Sequence, residues 1–261
     1  MHFRAGVKIE MLTSERKVLI LDRLRRDGRL VAKSLAEELD LSEDTIRRDL
    51  RDMAAEGLLA RVHGGALPLQ PALPDFASRK AVASEEKRLL GQRAAALLRP
   101  GDIAFLDGGT TNAEIARALP RDFAFTVVTH SPTIAAELEH HPTVEIVLIG
   151  GRIYKHSMVA VGSIASAAVA AIRPDIFFLG VTAAHSRHGF TTGDFEEAAI
   201  KRQIAAQSAR SYVALTAEKL ERASPVTIMP IEAATGVIVS GDAAAEQLDA
   251  IGAAGIDVLL G

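Results

Sequence analysis

Ser42-Glu43-Asp44-Thr45-Ile46-Arg47-Arg48-Asp49-Leu50 reads as the start of a helix with two unlike faces. The Ser42 hydroxyl can accept a hydrogen bond from a free N–H of the first turn, and the acidic pair behind it complements the positive helix end. Ile46, Leu50 and Met53 recur at helical spacing and predict a buried stripe. On the opposite face Arg48 and Arg51 stand three residues apart, with Thr45 and Arg47 beside them. A helix fits the major groove of B-DNA, where an arginine fork takes two guanine acceptors and a threonine methyl meets thymine. The plainer reading is a solvated face in which Arg47, Arg48 and Arg51 pair with Asp44, Asp49 and Asp52. The neighbouring elements decide between the two.

Towards the N-terminus, Val31, Leu35 and Leu39 and, before them, Val18, Leu21 and Leu24 predict two more short helices. Asp27-Gly28-Arg29 and Asp40-Leu41-Ser42 break the chain between them. Ser34 opens the middle helix, within reach of a backbone phosphate. Towards the C-terminus, Leu58 to Ala66 is a short extended stretch closed by Gly64-Gly65, which suits a small hairpin, and it carries the basic residues Arg61 and His63. Three helices and a hairpin in this order predict a winged helix-turn-helix over residues 12–67, with double-stranded operator DNA as its partner. Three prolines within Leu67–Pro74 predict a linker, drawn over residues 68–80, before a second domain at 81–261.

That second domain alternates apolar runs (Ile103–Leu106, Thr126–Val128, Glu145–Ile149, Ile176–Leu179, Tyr212–Leu215, Gly236–Val239, Asp257–Leu260) with helical stretches. The pattern predicts an α/β fold with a mostly parallel sheet covered by helices on both faces. Its loops carry the candidate chemistry. Asp107-Gly108-Gly109-Thr110-Thr111 reads as the turn from a strand into a helix, where free N–H groups and threonine hydroxyls suit a phosphate or carboxylate. No lysine follows the glycines and no G-x-G-x-x-G occurs, so neither a P-loop nor a dinucleotide fold is indicated. Thr129-His130-Ser131 and Gly150-Gly151 also end predicted strands, the side on which open α/β sheets bind ligands. Asp194, Glu197 and Lys201 cluster at a helix start, where a surface i,i+4 pair is the plainer reading, better suited to Glu197 than to Lys201.

The chain has 261 residues, 48% hydrophobic and 24% charged, a net charge of −3, no cysteine, no tryptophan and two tyrosines. Without cysteine there are no disulfides, thiolate metal sites or cysteine nucleophiles, and with so few aromatics a stacking platform for single strands is excluded. Residues 1–67 carry thirteen Lys/Arg against twelve Asp/Glu, so affinity for DNA must come from the siding of charge rather than its total. No run of eighteen apolar residues and no signal peptide occurs, so a cytoplasmic protein with no membrane association is expected. Nothing calls for a cofactor, a metal or a catalytic residue.

The segments Ser42–Leu50 and Arg61-Val62-His63-Gly64-Gly65-Ala66 resemble the signature of DeoR-family (DeoR/GlpR type) transcriptional repressors. That resemblance implies DNA contacts from Ser42, Thr45, Arg47, Arg48, Arg51, Arg61 and His63. It extends through the second domain, from the Asp-Gly-Gly-Thr-Thr turn to Asp194–Lys201, and implies a sensor related in fold to sugar-phosphate isomerases that binds a small phosphorylated metabolite. The implied effector contacts are Asp107, Gly108, Gly109, Thr110, Thr111, Thr129, His130, Ser131, Gly150, Gly151, Asp194 and Lys201. His130 stands where the family commonly has asparagine, and Thr216-Ala217-Glu218-Lys219-Leu220 replaces Asp-x-Ser-Lys-Phe. His130 fits either a ligand contact or a structural hydrogen bond to backbone. The expectation is therefore a repressor of a carbohydrate-catabolic operon, acting as a homodimer or homotetramer, whose operator affinity a phosphorylated sugar controls. Its rivals are an isomerase with Asp107, Asp194 or Glu197 as base and an architectural DNA-binding protein.

Overall fold

The computed structural model describes residues 12–27, 29–62, 64–68 and 84–261. The chain divides into two compact units, residues 1–71 and 72–261.

In the first unit, α1 (Thr13–Asp27), β1 (Leu30–Val31), α2 (Ala32–Glu38) and α3 (Glu43–Ala55) precede a hairpin of β2 (Leu59–Val62) and β3 (Gly65–Pro68). β3 lies between β1 and β2, antiparallel to both. Ile20 and Leu24 of α1, Leu35 of α2, Ile46, Leu50 and Met53 of α3, and Leu59 of β2 form one buried core. The sequence places Val18 and Val31 in that core, but they are 68% and 48% exposed. Val18 lies two residues, about 200° of helix, from Ile20 and so faces away. Val31 sits in β1, where alternate side chains point out. The glycine pair divides its work. Gly64 takes φ +82° in the turn, and a Cβ on Gly65 would stand 1.8 Å from the Leu30 carbonyl oxygen, so only glycine lets β3 approach β1. β3 runs through Pro68, paired with Leu59; residues 69–83, most of the expected linker, lie outside the described residues.

The second unit begins with α4 (Ser84–Ala95) and is built on a seven-stranded sheet. Its strands are β4 (Ile103–Leu106), β5 (Phe125–Thr129), β6 (Val144–Leu148), β9 (Ile176–Phe178), β12 (Ser211–Leu215), β14 (Gly236–Val239) and β15 (Asp257–Leu260). They lie in the order β15-β14-β12-β9-β4-β5-β6, and every pairing is parallel. Between them come α5 (Thr110–Arg117), α6 (Pro132–Glu137), α7 (Ser163–Ala170), α8 (Phe195–Gln207) and α9 (Ala245–Gly252). One apolar cluster unites α4, α5 and α6 with one face of the sheet, and a second unites α7, α8 and α9 with the other. Continuous apolar strands such as Tyr212-Val213-Ala214-Leu215 follow from burial on both faces.

The smaller elements are absent from the sequence reading. β7 (Arg152–Tyr154) and β8 (Val159–Val161) form an antiparallel pair, and β10 (Ala183–His185), β11 (Gly189–Thr192) and β13 (Val226–Met229) form a small antiparallel sheet. Runs of three or four residues such as Ala-Ala-His are too short to show a period.

Candidate functional site

Two places in the molecule gather the residues singled out by the sequence. The first is the outer face of α3. Ser42 caps the helix, its hydroxyl accepting from the Thr45 N–H at 3.1 Å and lying 2.8 Å from the Thr45 hydroxyl. Arg47 pairs with Glu43 at 2.8 Å in the open. Arg48 and Arg51 are exposed. Asp49, which the plain reading would pair with these arginines, is instead buried and holds Arg16 of α1 through two bonds, at 2.7 and 3.2 Å. Arg48 and Arg51 themselves have no ion pair among the described residues. Ser34 lies exposed on α2 and Arg61 exposed on β2, while His63 lies outside the described residues.

The second place follows from topology. From β4 the chain adds β5 and then β6 on one side and afterwards crosses to β9 on the other, so the strand order reverses between β4 and β9. At such a switch the loops diverge and leave a crevice beyond the strand ends. A crevice lies there, lined by Gly108 to Asn112 after β4, Gly180 to Thr182 after β9, and Ser157, Glu197, Lys201, Ala214 and Lys219.

The floor of the crevice is a closed set of charges. Asp107, at 0% exposure, receives the Gly108 N–H (2.7 Å) and His130 Nε2 (2.7 Å) on one oxygen, and the Gly180 N–H (2.9 Å) and Lys201 Nζ (3.2 Å) on the other. Lys201 also donates to the Gly180 carbonyl at 2.6 Å and meets Glu197 at 3.0 Å. The Thr192 hydroxyl donates to the second Glu197 oxygen. Burial pushes the Asp107 carboxyl up, but Lys201, His130 and the Gly180 N–H outweigh it and hold the group below the usual carboxylate range. Glu197 is lowered for similar reasons, chiefly by Lys201 against its own burial. Lys201 is raised, since Asp107 and Glu197 outweigh its desolvation. A Cβ on Gly180 would stand 2.5 Å from the Gly108 carbonyl oxygen, so glycine is what lets the two loops meet over Asp107.

Above this floor the N-terminus of α5 opens on the crevice. Gly109, at φ +117°, supplies no side-chain cap, so the first N–H groups of the helix keep their donors. Thr111 is buried, and its hydroxyl has no hydrogen-bond partner among the described residues. Asn112 ties the strand ends together beneath, its amide donating to the Asp107 and Phe178 carbonyls at 3.0 and 2.9 Å. Lys219 donates to the Val181 carbonyl at 3.0 Å on the far wall.

Of the expected effector contacts, Gly108, Gly109, Thr110, Thr111 and Lys201 line the crevice. Asp107 lies behind them. Thr129, His130 and Ser131 are fully buried and internally bonded: Thr129 to the Leu106 carbonyl (2.7 Å), His130 between Asp107 and the Ala160 carbonyl (2.9 Å), and Ser131 to the Met158 carbonyl (2.9 Å). For His130 the geometry favours the structural alternative. Asp194 caps α8 by accepting from the Glu197 N–H at 2.9 Å, and Gly150 and Gly151 do not line the crevice. Glu197, which the sequence reads more simply as a surface partner, is 2% exposed, and Lys201 3%. The sequence reading assigned no contact to Ser157, the Gly180-Val181-Thr182 loop or Lys219; Gly180, within the stretch that carries the resemblance, and Lys219, the retained lysine of the altered motif, each gave a signal.

Residues 16–71 match the family model described as "DeoR-like helix-turn-helix domain", and residues 82–241 match "DeoR C terminal sensor domain". The chain is 34% identical over 254 residues to "HTH-type transcriptional regulator GlpR" of Haloferax volcanii, covering 96% of this chain and 99% of that protein. It is 32% identical over 207 residues to "HTH-type transcriptional repressor GlcR" of Bacillus subtilis, covering 78% and 79%. Ribose 5-phosphate isomerase A of Methanocaldococcus jannaschii aligns over 52% of this chain and 54% of its own, with a TM-score of 0.39 and 13% identity. With both family models matched in order and a relative matched along nearly its whole length, the chain belongs to the DeoR family of DNA-binding transcriptional regulators.

Proposed function

We propose that this regulator represses a carbohydrate-catabolic operon in the cytoplasm, and that a phosphorylated sugar or related metabolite bound in the crevice between β4 and β9 controls its grip on the operator. In this reading α3 lies in the major groove, with Arg48 and Arg51 towards the bases, and Arg61 with Ser34 positions the unit on the backbone. Two copies on adjacent half-sites would set their α3 helices about 34 Å apart. The phosphate sits at the α5 N-terminus, against the open N–H groups and the Thr110 and Thr111 hydroxyls, with Lys219 facing it across the crevice. The observation that carries this is the buried Thr111 hydroxyl, left without a partner inside a crevice at a helix N-terminus, since a buried donor seldom goes unsatisfied.

The isomerase alternative has less support. A general base should face its substrate and hold a proton affinity near neutrality. Asp107 is sealed below the crevice by four donors, and Glu197 is held ionised by Lys201 and Thr192.

The reading is tested with Thr111→Val, which keeps the shape and removes the hydroxyl. The substitution should weaken binding of the active sugar phosphate roughly five-fold to a hundred-fold, about 1–3 kcal/mol, and leave operator affinity alone. Isothermal titration with phosphorylated and unphosphorylated sugars reads the effect. An unchanged affinity would remove the phosphate from the α5 N-terminus.

A further inference from the structure

The seven-stranded sheet ends at β6, whose residues 145–148 are all exposed, Ile146, Val147 and Leu148 by 36%, 40% and 50%. Soluble proteins protect an open edge with charged side chains, lysine above all, proline, a bulge or a covering segment. β6 has one charged side chain, Glu145, but no lysine or proline, and its register with β5 runs without a bulge from Phe125↔Val144 to Thr129↔Leu148. The backbone of this edge is ordered for pairing. The Ile149 N–H bonds the Thr129 carbonyl at 2.8 Å, and strand donors alternate sides. Val147 and Glu145 therefore bond inward to β5, and Val144, Ile146 and Leu148 turn N–H and C=O outward.

We infer that β6 is the contact between two copies of this chain, paired antiparallel with itself about a two-fold axis at Ile146. This rests on the reading above that the regulator grips its operator as a symmetric pair. In that register Val144 stands opposite Leu148 of the second copy, Ile146 opposite Ile146, and Leu148 opposite Val144. All three are hydrogen-bonded positions of an antiparallel ladder. Every outward N–H dipole meets a carbonyl and every carbonyl an N–H, so the partial charges along the edge are complementary to themselves. On one face the side chains of Val144, Ile146 and Leu148 from both copies form an apolar strip continuous with the α4–α5–α6 core, which Val144 already joins. On the other face Glu145 lies opposite Val147, so no carboxylate stands directly across from another. An isologous contact of this kind consumes the edge and closes the assembly on that side.

The chain contains no cysteine, which makes the axis directly addressable. Ile146→Cys in the full-length protein places two thiols at facing positions about 5.5 Å apart between Cα atoms, within disulfide range. Mild oxidation should convert it to a covalent dimer on a non-reducing gel, while Ile164→Cys and Phe195→Cys, exposed elsewhere at 72% and 76%, should not cross-link. Ile146→Lys, with an unchanged circular dichroism spectrum, should sediment at half the wild-type mass or lose at least ten-fold in self-association. A wild-type dimer that Ile146→Lys leaves intact and Ile146→Cys does not cross-link would overturn the β6 contact while leaving the paired-operator reading in place. A wild-type protein that binds its operator as a single copy would overturn both.

Discussion

Asp107 is the residue on which the sensor's interior turns, because it collects the Gly108 and Gly180 amides, the His130 ring and Lys201 on one carboxylate. Its lowered titration, with that of Glu197, contributes stability that is present above the ordinary carboxyl range near pH 4 and is lost as pH falls below it. Lys201, shifted upward, contributes stability that is complete below its ordinary value near 10.4 and is lost as pH rises beyond it. The melting temperature should therefore be flat between roughly pH 5 and 10 and fall at both ends. In Asp107→Asn the acid limb should be shallower than in the wild type, whatever the change in the plateau, and calorimetry across pH 2.5–7 measures it. An equally steep limb would mean that Asp107 titrates alike in the folded and unfolded chain. The sequence announced Asp107 and the threonines through a turn motif and Lys201 through its place at a helix start; it left His130 open between ligand and structural bond, and did not show that Thr129 faces inward. Whether a residue beside a strand end points to a ligand or to a neighbouring loop depends on β8 and the β9 loop, which approach from far along the chain.

At the scale of elements, α1 and α3 are joined by the Arg16–Asp49 pair, whose side chains are only 10% and 6% exposed. Asp49 sits within the arginine face of α3 in sequence yet points into the unit. Arg48 and Arg51 stay on the outer face, exposed to solvent. Breaking a buried pair strands the remaining charge, so Arg16→Ala should destabilise the N-terminal unit by about 3 kcal/mol, and Arg16→Met with Asp49→Leu should recover most of that loss. Urea unfolding followed separately for the two units would show it; a single variant as stable as the wild type would mean that the pair is solvated. The three helices and the hairpin were legible because caps, glycines and apolar spacing agreed with one another. The error at Val18 shows where such reading fails: on α1 two apolar faces compete, and only the packing of Ile20 and Leu24 against α3 chooses between them. The seven sheet strands were legible for the same reason, as buried runs of four or five residues, while the short strands β7, β8, β10, β11 and β13 take their structure from the partners they pair with.

The whole molecule joins a DNA-binding unit to a sensor in one chain, and its regulation is a coupling between two binding events. An effector that prefers one of two arrangements of the protein shifts operator affinity by the ratio of its affinities for the two, typically 1–3 kcal/mol, and operator DNA must shift effector affinity by the same factor. The β6 contact would place two sensors in one continuous sheet, a rigid base against which such an arrangement can change. The most direct test is the affinity of the full-length protein for its own upstream DNA at one fixed salt concentration, measured alone and with a panel of sugar phosphates and their unphosphorylated counterparts. The account predicts that one phosphorylated sugar weakens operator binding several-fold to a hundred-fold and that its unphosphorylated form does not. Tight, specific operator binding that no phosphorylated compound alters would contradict it.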